Sequence, residues 1–126
     1  MKALSIRQPW AELILRGKKT VEVRSTRTAK QGERVYLYAS LGRIDGRQEA
    51  RIAARFGIDV DELPRGVIVG SVAIVGCEPL RPAHGEGACF RVTHADEGFA
   101  WLLADPRGAR KRRPTGRPQP VFFTPF

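Results

Sequence analysis

Lys19, Glu22 and Arg24 stand in one short stretch, Gly-Lys-Lys-Thr-Val-Glu-Val-Arg at residues 17–24, with charges at spacings of three and two. A strand alternates its faces, with about 7 Å between successive same-face positions. On a strand here, Val21 and Val23 are predicted to turn into a core while Thr20, Glu22 and Arg24 share the opposite, polar face. A carboxylate held among cations can accept an amino proton of a base, while an arginine grips a phosphate or a purine edge. The competing reading is an ion-pair network on an outer wall, contributing only about 0–1 kcal/mol per exposed pair. On the recognition reading, replacing these charges on a polar face is expected to reduce ligand binding and leave the fold intact, whereas a loss of more than about 3 kcal/mol would mark a structural pair.

The element before this stretch is a short helix. Pro9 suits a first helical turn, where a missing N–H is harmless. Trp10, Leu13 and Ile14 then recur at helical spacing, and Gly17 can take the left-handed conformation that ends a helix. Trp10 is assigned to the core in preference to base stacking. Lys18 follows at the helix C-terminus, where cations are favoured in any case. Arg7 and Gln8, polar at the helix N-terminus, are candidate ligand contacts.

At this point the chain resembles the ASCH domain family, named for its homology to a module of the activating signal cointegrator proteins. The family's signature of Gly, any residue, Lys, two residues, Glu, any residue, Arg is matched by Gly17, Lys19, Glu22 and Arg24. The Ser-Ile-Arg-Gln-Pro-Trp of residues 5–10 is similar to the opening of the cointegrator branch. Further similarity follows in order at Gly32, residues 34–40, 66–77 and 99–106, then Pro114, Gly116 and Phe122. It is weakest at residues 41–65 and 82–97. The resemblance implies a PUA-like β-barrel. It also implies a rival activity, since some small members of the wider superfamily remove the acetyl group of N4-acetylcytidine with a Lys and a Thr three residues later, and others are described as ribonucleases. By position the lysine is Lys19, but the threonine's place holds Glu22. A carboxylate cannot replace a hydroxyl nucleophile in the same chemistry. A further acid could come only from Glu78 or Glu86. If the protein were an enzyme, Lys19 and Glu22 would be its catalytic groups, in a metal-independent ribonuclease or amidohydrolase.

The rest of the chain reads as mainly β with two or three short helices, α+β in class. Residues 2–6 open as a strand. Residues 33–40 alternate Val35, Leu37 and Ala39 against Arg34, Tyr36, Tyr38 and Ser40, so Tyr36 and Tyr38 lie on the polar side, where each could stack on an unpaired base. Residues 67–75 are apolar on both parities and suit a central strand buried on both faces. Between these strands Asp45 or Gly46 opens a helix that Gly57 closes, and residues 59–64 form a connector. The Pro79, Pro82, Gly85 and Gly87 cluster predicts an irregular loop, followed by a strand at 89–93. Residues 99–103 form a short apolar turn or strand ending at Asp105-Pro106. Residues 121–124 close the chain, with Pro118 and Pro120 requiring an edge or bulge. These elements fit a small closed barrel.

Composition bounds the partner. The chain has 126 residues, room for one domain (1–126) with a real core. Lys plus Arg outnumber Asp plus Glu 22 to 13, for a net charge of +9. A polyanion, RNA or single-stranded DNA, or a nucleotide-like ligand is the natural partner. The charge is concentrated at residues 107–117, which include Arg110, Lys111, Arg112, Arg113 and Arg117, and no acid follows Asp105. These five are assigned to phosphate contact, against the alternative of a solvated basic loop. Cys77 and Cys89 lack Cys or His partners at metal-ligand spacing, so no metal site and no cofactor is expected. The absence of an apolar run of membrane length and of a signal-peptide pattern makes a cytoplasmic protein without membrane association the default expectation.

Overall fold

The computed structural model describes residues 1–126. Six strands form one sheet in the order β2, β5, β4, β3, β1, β6. They are β1 (Ala3–Arg7), β2 (Val21–Arg24), β3 (Glu33–Ser40), β4 (Val67–Pro79), β5 (Phe99–Arg112) and β6 (Phe122–Phe123), with helices α1 (Trp10–Leu15), α2 (Gly46–Phe56) and α3 (Gly85–Ala88). Only β1 and β3 run parallel. The sheet curls into a half-barrel that brings its two ends together. No ladder joins β2 to β1 or β6. Side chains bridge that seam instead: Arg24 Nη2 donates to the Ser5 carbonyl at 2.8 Å, and Trp101 of β5 stacks on Phe122 of β6 at 5.6 Å. No helix is long and apolar enough to cross a membrane.

The inner face is filled by Leu4, Ile6, Val35, Leu37, Val72, Ile74 and Trp101, with Ala11 and Ile14 of α1 packed against them. Leu13, on the far side of α1, meets Ile52, Ile58 and Cys89, so α1 is pinned between sheet and α2. Its start is held from within, because the Glu12 N–H donates to Gln8 Oε1, with Pro9 at the N-cap. Its end is Gly17 at φ 73°, after which the N–H groups of Lys18 and Lys19 both return to the Leu13 carbonyl at 3.0 Å. That turn aims the next residues across the barrel end. Asp45 caps α2 through the N–H groups of Arg47 and Gln48, and Gly57 closes it in the left-handed conformation.

β4 is central, as its apolar pattern predicts, although Val75 is exposed. Gly70 is required there. A Cβ at this position would lie 2.4 Å from the Arg107 carbonyl and 2.6 Å from Leu15 Cδ2, so the bare backbone is what lets α1 and β5 close on β4. Gly70→Ala is expected to destabilise by about 1–3 kcal/mol through overpacking, measurable by urea unfolding; an unchanged midpoint would show that β5 yields freely.

Three expectations are corrected. Residues 89–93 are not a strand but a loop following α3. The apolar segment at 99–103 does not end at Asp105-Pro106, because β5 continues for 14 residues. The register skips between Ala73↔Ala104 and Ser71↔Arg107, and Asp105 sits at φ 52°, so a bulge absorbs the proline's missing donor. The Pro- and Gly-rich stretch is also ordered: Pro82–His84 forms a 3-10 turn leading into α3, with His84 Nδ1 accepting from the Arg81 N–H and Nε2 2.6 Å from Glu78 Oε1. Accepting at Nδ1 places the His84 proton on Nε2, and this hydrogen bond holds the Glu78 carboxyl below its ordinary range.

Candidate nucleic-acid interface

The seam opens into a cleft of about 700 Å³. Its floor is Lys19 and the Glu22, Val23 and Arg24 of β2. Lys19 is carried there by the Gly17 turn, and its ammonium donates to the Ala88 carbonyl at 2.8 Å. It also lies 4.5 Å from the centre of the Trp10 ring and 5.3 Å from that of Phe90. Glu22 Oε1 is 3.7 Å away. Arg24 binds the other carboxylate oxygen twice, Nε at 2.9 Å and Nη2 at 2.7 Å from Oε2. The three side chains thus form one row, cation, anion, cation.

That row is not on an outward polar face. Lys19 is 2% and Glu22 7% exposed, which corrects the expectation that these charges lie where they matter little for folding. In the register of β2 with β5, Glu22 is opposite Trp101, a core residue, while Val21 and Val23 pack into a satellite cluster with Ala88 and Ala100. β2 is the last strand of a curled sheet, so both of its faces are covered. Burial pushes the Lys19 ammonium below its ordinary pKa against the opposing pull of Glu22. Burial likewise raises the Cys89 thiol, whose Sγ donates to the Lys18 carbonyl.

The structure separates the other predicted residues. Arg7 is exposed and lines the cleft, its Nη1 near the Arg43 carbonyl. Gln8 is 1% exposed and fully used by the protein, donating from Nε2 to the Pro64 carbonyl. Lys18 lies outside the cleft, beside Thr20 and His84. Tyr38 lines the cleft wall but is 5% exposed, its ring edge-on to Phe123, and burial raises its pKa. Tyr36 lies away from the cleft, edge-on to Phe126. Arg110, Lys111, Arg112, Arg113 and Arg117 are outside it too. The first three extend along the exposed end of β5, where the Arg112 guanidinium lies 3.7 Å from the Phe126 ring centre. Glu78 and Glu86 do not line the cleft either, so neither stands beside Lys19 as an additional acid.

Several walls were not singled out from sequence. Trp10, assigned to the core, is half-buried and lines the cleft together with Phe90. Residues 118–121 form a strap along one side, held by the Ser5 hydroxyl donating to the Gln119 carbonyl and the Ser5 N–H to the Val121 carbonyl. Leu41 and Ile44 line it from the loop between β3 and α2.

Comparison with known proteins agrees with this architecture. The sequence profile of the ASCH domain matches residues 4–111. Human activating signal cointegrator 1 is 33% identical over 81 residues, which span 59% of this chain and only 14% of that protein. The crystal structure of ASCH from Zymomonas mobilis superposes with a TM-score of 0.61 at 18% identity, covering 89% of this chain and 72% of that one. A Ser-to-Ala mutant of the same Zymomonas protein gives 0.58 at 18% identity over the same shares of both chains.

Proposed function

The chain belongs to the ASCH domain family, and on that premise we propose that it binds single-stranded nucleic acid, taking one unpaired nucleotide into the seam cleft. The observation that carries this reading is the row of buried Lys19 and Glu22 and half-buried Arg24 at the base of an open cleft walled by Trp10 and Phe90. Aromatic rings and hydrogen-bonding groups converging in one concavity are what reading a splayed-out base requires. The volume is in the range of ligand sites, and a duplex has no unpaired base to offer it. Arg7 at the rim is suited to the flanking phosphate.

Arg110, Lys111, Arg112 and Arg113 contribute differently. Exposed on β5 and its extension, they are proposed to hold backbone phosphates, which position a strand without specifying it. Arg117 leads into the strap and extends the same field. The hydrolase reading has no comparable support, since Glu22 holds the place of the threonine nucleophile and neither Glu78 nor Glu86 lines the cleft as a further acid.

Fluorescence anisotropy at several salt concentrations tests the proposal. The plot of log K against log[salt] is expected to fall with a slope of several units for single strands, close to 0.7 per phosphate neutralised. Replacing residues 110–113 together by uncharged residues is expected to reduce that slope and weaken all sequences about equally. Salt-independent affinity, or a loss confined to one sequence, would contradict the division between phosphate track and cleft.

A further inference from the structure

β1 and β3 run parallel with Ser5 beside Tyr38 and Arg7 beside Ser40. Neighbouring strands lie about 4.8 Å apart, and residues two along a strand lie about 7 Å apart on one face. The alternate positions, among them Leu4, Ile6, Leu37 and Ala39, fill the core. Ser5, Arg7, Tyr38 and Ser40 therefore form a two-by-two grid on the other face, and all four line the cleft. Arg24 meets the Ser5 corner of this grid, its Nη2 donating to the Ser5 carbonyl.

The grid offers donors and no carboxylate. The Ser5 hydroxyl is already used on the Gln119 carbonyl. The Tyr38 and Ser40 hydroxyls have no protein partner, and neither has Arg24 Nη1, turned away from Glu22. The side-chain polar atoms that are both buried and unpartnered lie elsewhere, on Glu49 and Arg65, so these three groups are open to the cleft. Burial raises the Tyr38 pKa, which keeps that hydroxyl protonated as a donor. Arg7 uses only Nη1, on the Arg43 carbonyl at 3.3 Å. Its guanidinium is seated against Gly42, where a Cβ would come within 2.9 Å of Nε.

We propose that the grid is a phosphate-monoester subsite, in which Arg7, Tyr38 and Ser40, with Arg24 at the corner, hold the terminal phosphate of the nucleotide in the cleft. The proposal rests on the nucleic-acid reading above and gives the ligand a direction. Glu22 repels an anion from the floor, so the phosphate goes to the wall without an acid, and the base points toward Trp10 and Phe90. Charge favours an end over an internal linkage. Arg7, Lys19 and Arg24 line the cleft against Glu22 alone, which leaves two positive charges uncompensated. A phosphate monoester carries about −1.5 to −2 at pH 7 and three acceptor oxygens, whereas a diester linkage carries a single charge. Guanidinium groups are suited to such oxygens because their planar fork matches phosphate geometry.

Fluorescence anisotropy of the wild-type protein tests this with one single strand carrying a 5′-phosphate, a 3′-phosphate or neither. A phosphorylated form is expected to bind about tenfold tighter or better than the unphosphorylated strand, the size of a hydrogen bond to a charged group. The two phosphorylated forms identify the end. The matching nucleoside monophosphate, used as competitor, separates the sources: displacement at similar concentration assigns the subsite to free nucleotides, and displacement only at far higher concentration assigns it to strand ends. Equal binding of the three strands overturns the proposal and leaves nucleic-acid binding standing, whereas no binding of any strand overturns both. Tyr38→Phe keeps the edge contact with Phe123 and loses only the hydroxyl. Both it and Ser40→Ala are expected to lower the ratio of phosphorylated to unphosphorylated affinity by about threefold to tenfold. Arg7→Gln is expected to bring that ratio near one. Arg7 is exposed, so this variant keeps the fold, and an unchanged ratio in it overturns the proposal.

Discussion

Glu22→Ala is expected to lower stability by about 3–5 kcal/mol, the loss characteristic of removing one partner from a buried ion pair. The carboxylate is nearly inaccessible and neutralises two cations, one of them the 2% exposed Lys19. With Glu22 gone, Lys19 retains the Ala88 carbonyl and the Trp10 face, while Arg24 retains the Ser5 carbonyl across the seam and the Trp101 ring. For a chain of this length the loss corresponds to a fall in Tm of roughly 10–20 °C. Nucleic-acid affinity should fall with it, because the row that faces the cleft loses its centre. Replacing Lys19 by Met and Glu22 by Leu together is expected to recover part of the stability and none of the affinity, since well-packed apolar groups often substitute for a buried pair without loss. A Glu22→Ala loss below about 1 kcal/mol would mean that the carboxylate behaves as an exposed one, and that the seam is open to water.

The row was legible because it is local. Spacing on a single strand put Lys19, Glu22 and Arg24 together, and Gly17 fixed their approach. The direction in which they point was not legible. Strand alternation distinguishes two faces without saying which is covered, and at the end of a curled sheet the face assigned to solvent turns into the seam. Tyr36 and Tyr38 show the same limit. Their shared face follows from a period of two, but the rings that cover them, Phe126 and Phe123, arrive from the end of the chain. The cleft walls came from the β3–α2 loop, the Phe90 loop and residues 118–121, and nothing in those segments signals their mutual proximity. Gln8 failed as a ligand candidate for a different reason: a polar residue at a helix start serves an external ligand or the chain itself, and here both ends of its amide are consumed inside. Helix α2 and the presence of strands β3 and β4 were readable, since their caps and periods are written within the elements themselves, although β4 runs on to Pro79, past the end its apolar run marks.

Trp101→Ala is expected to destabilise by about 3–5 kcal/mol, the range for emptying a large aromatic site in a core. Trp101 is 1% exposed, and its indole N–H donates to the Thr26 carbonyl at 2.9 Å. Its ring lies nearly parallel to Phe122, with an interplanar angle of 6°, and the Arg24 guanidinium is 5.6 Å from its centre. One side chain therefore ties β5 to β6 across the seam, anchors the loop after β2 and supports the arginine of the cleft. Trp101→Phe keeps much of the stack and loses the hydrogen bond, so the part of its loss due to that bond should be near 1 kcal/mol, with most of the binding retained. Trp101→Ala should weaken nucleic-acid binding even where the protein remains folded, because Arg24 loses its backing and the strap beyond Phe122 loses its anchor. A double-mutant cycle with Phe122→Ala, read by urea denaturation, should give a coupling of about 0.5–3 kcal/mol, as for residues in direct contact. Additive losses would show that the two rings stabilise their own strands independently. The half-barrel would then be held at its open side by the Arg24 to Ser5 bond and the contact of Lys30 with the Phe122 ring.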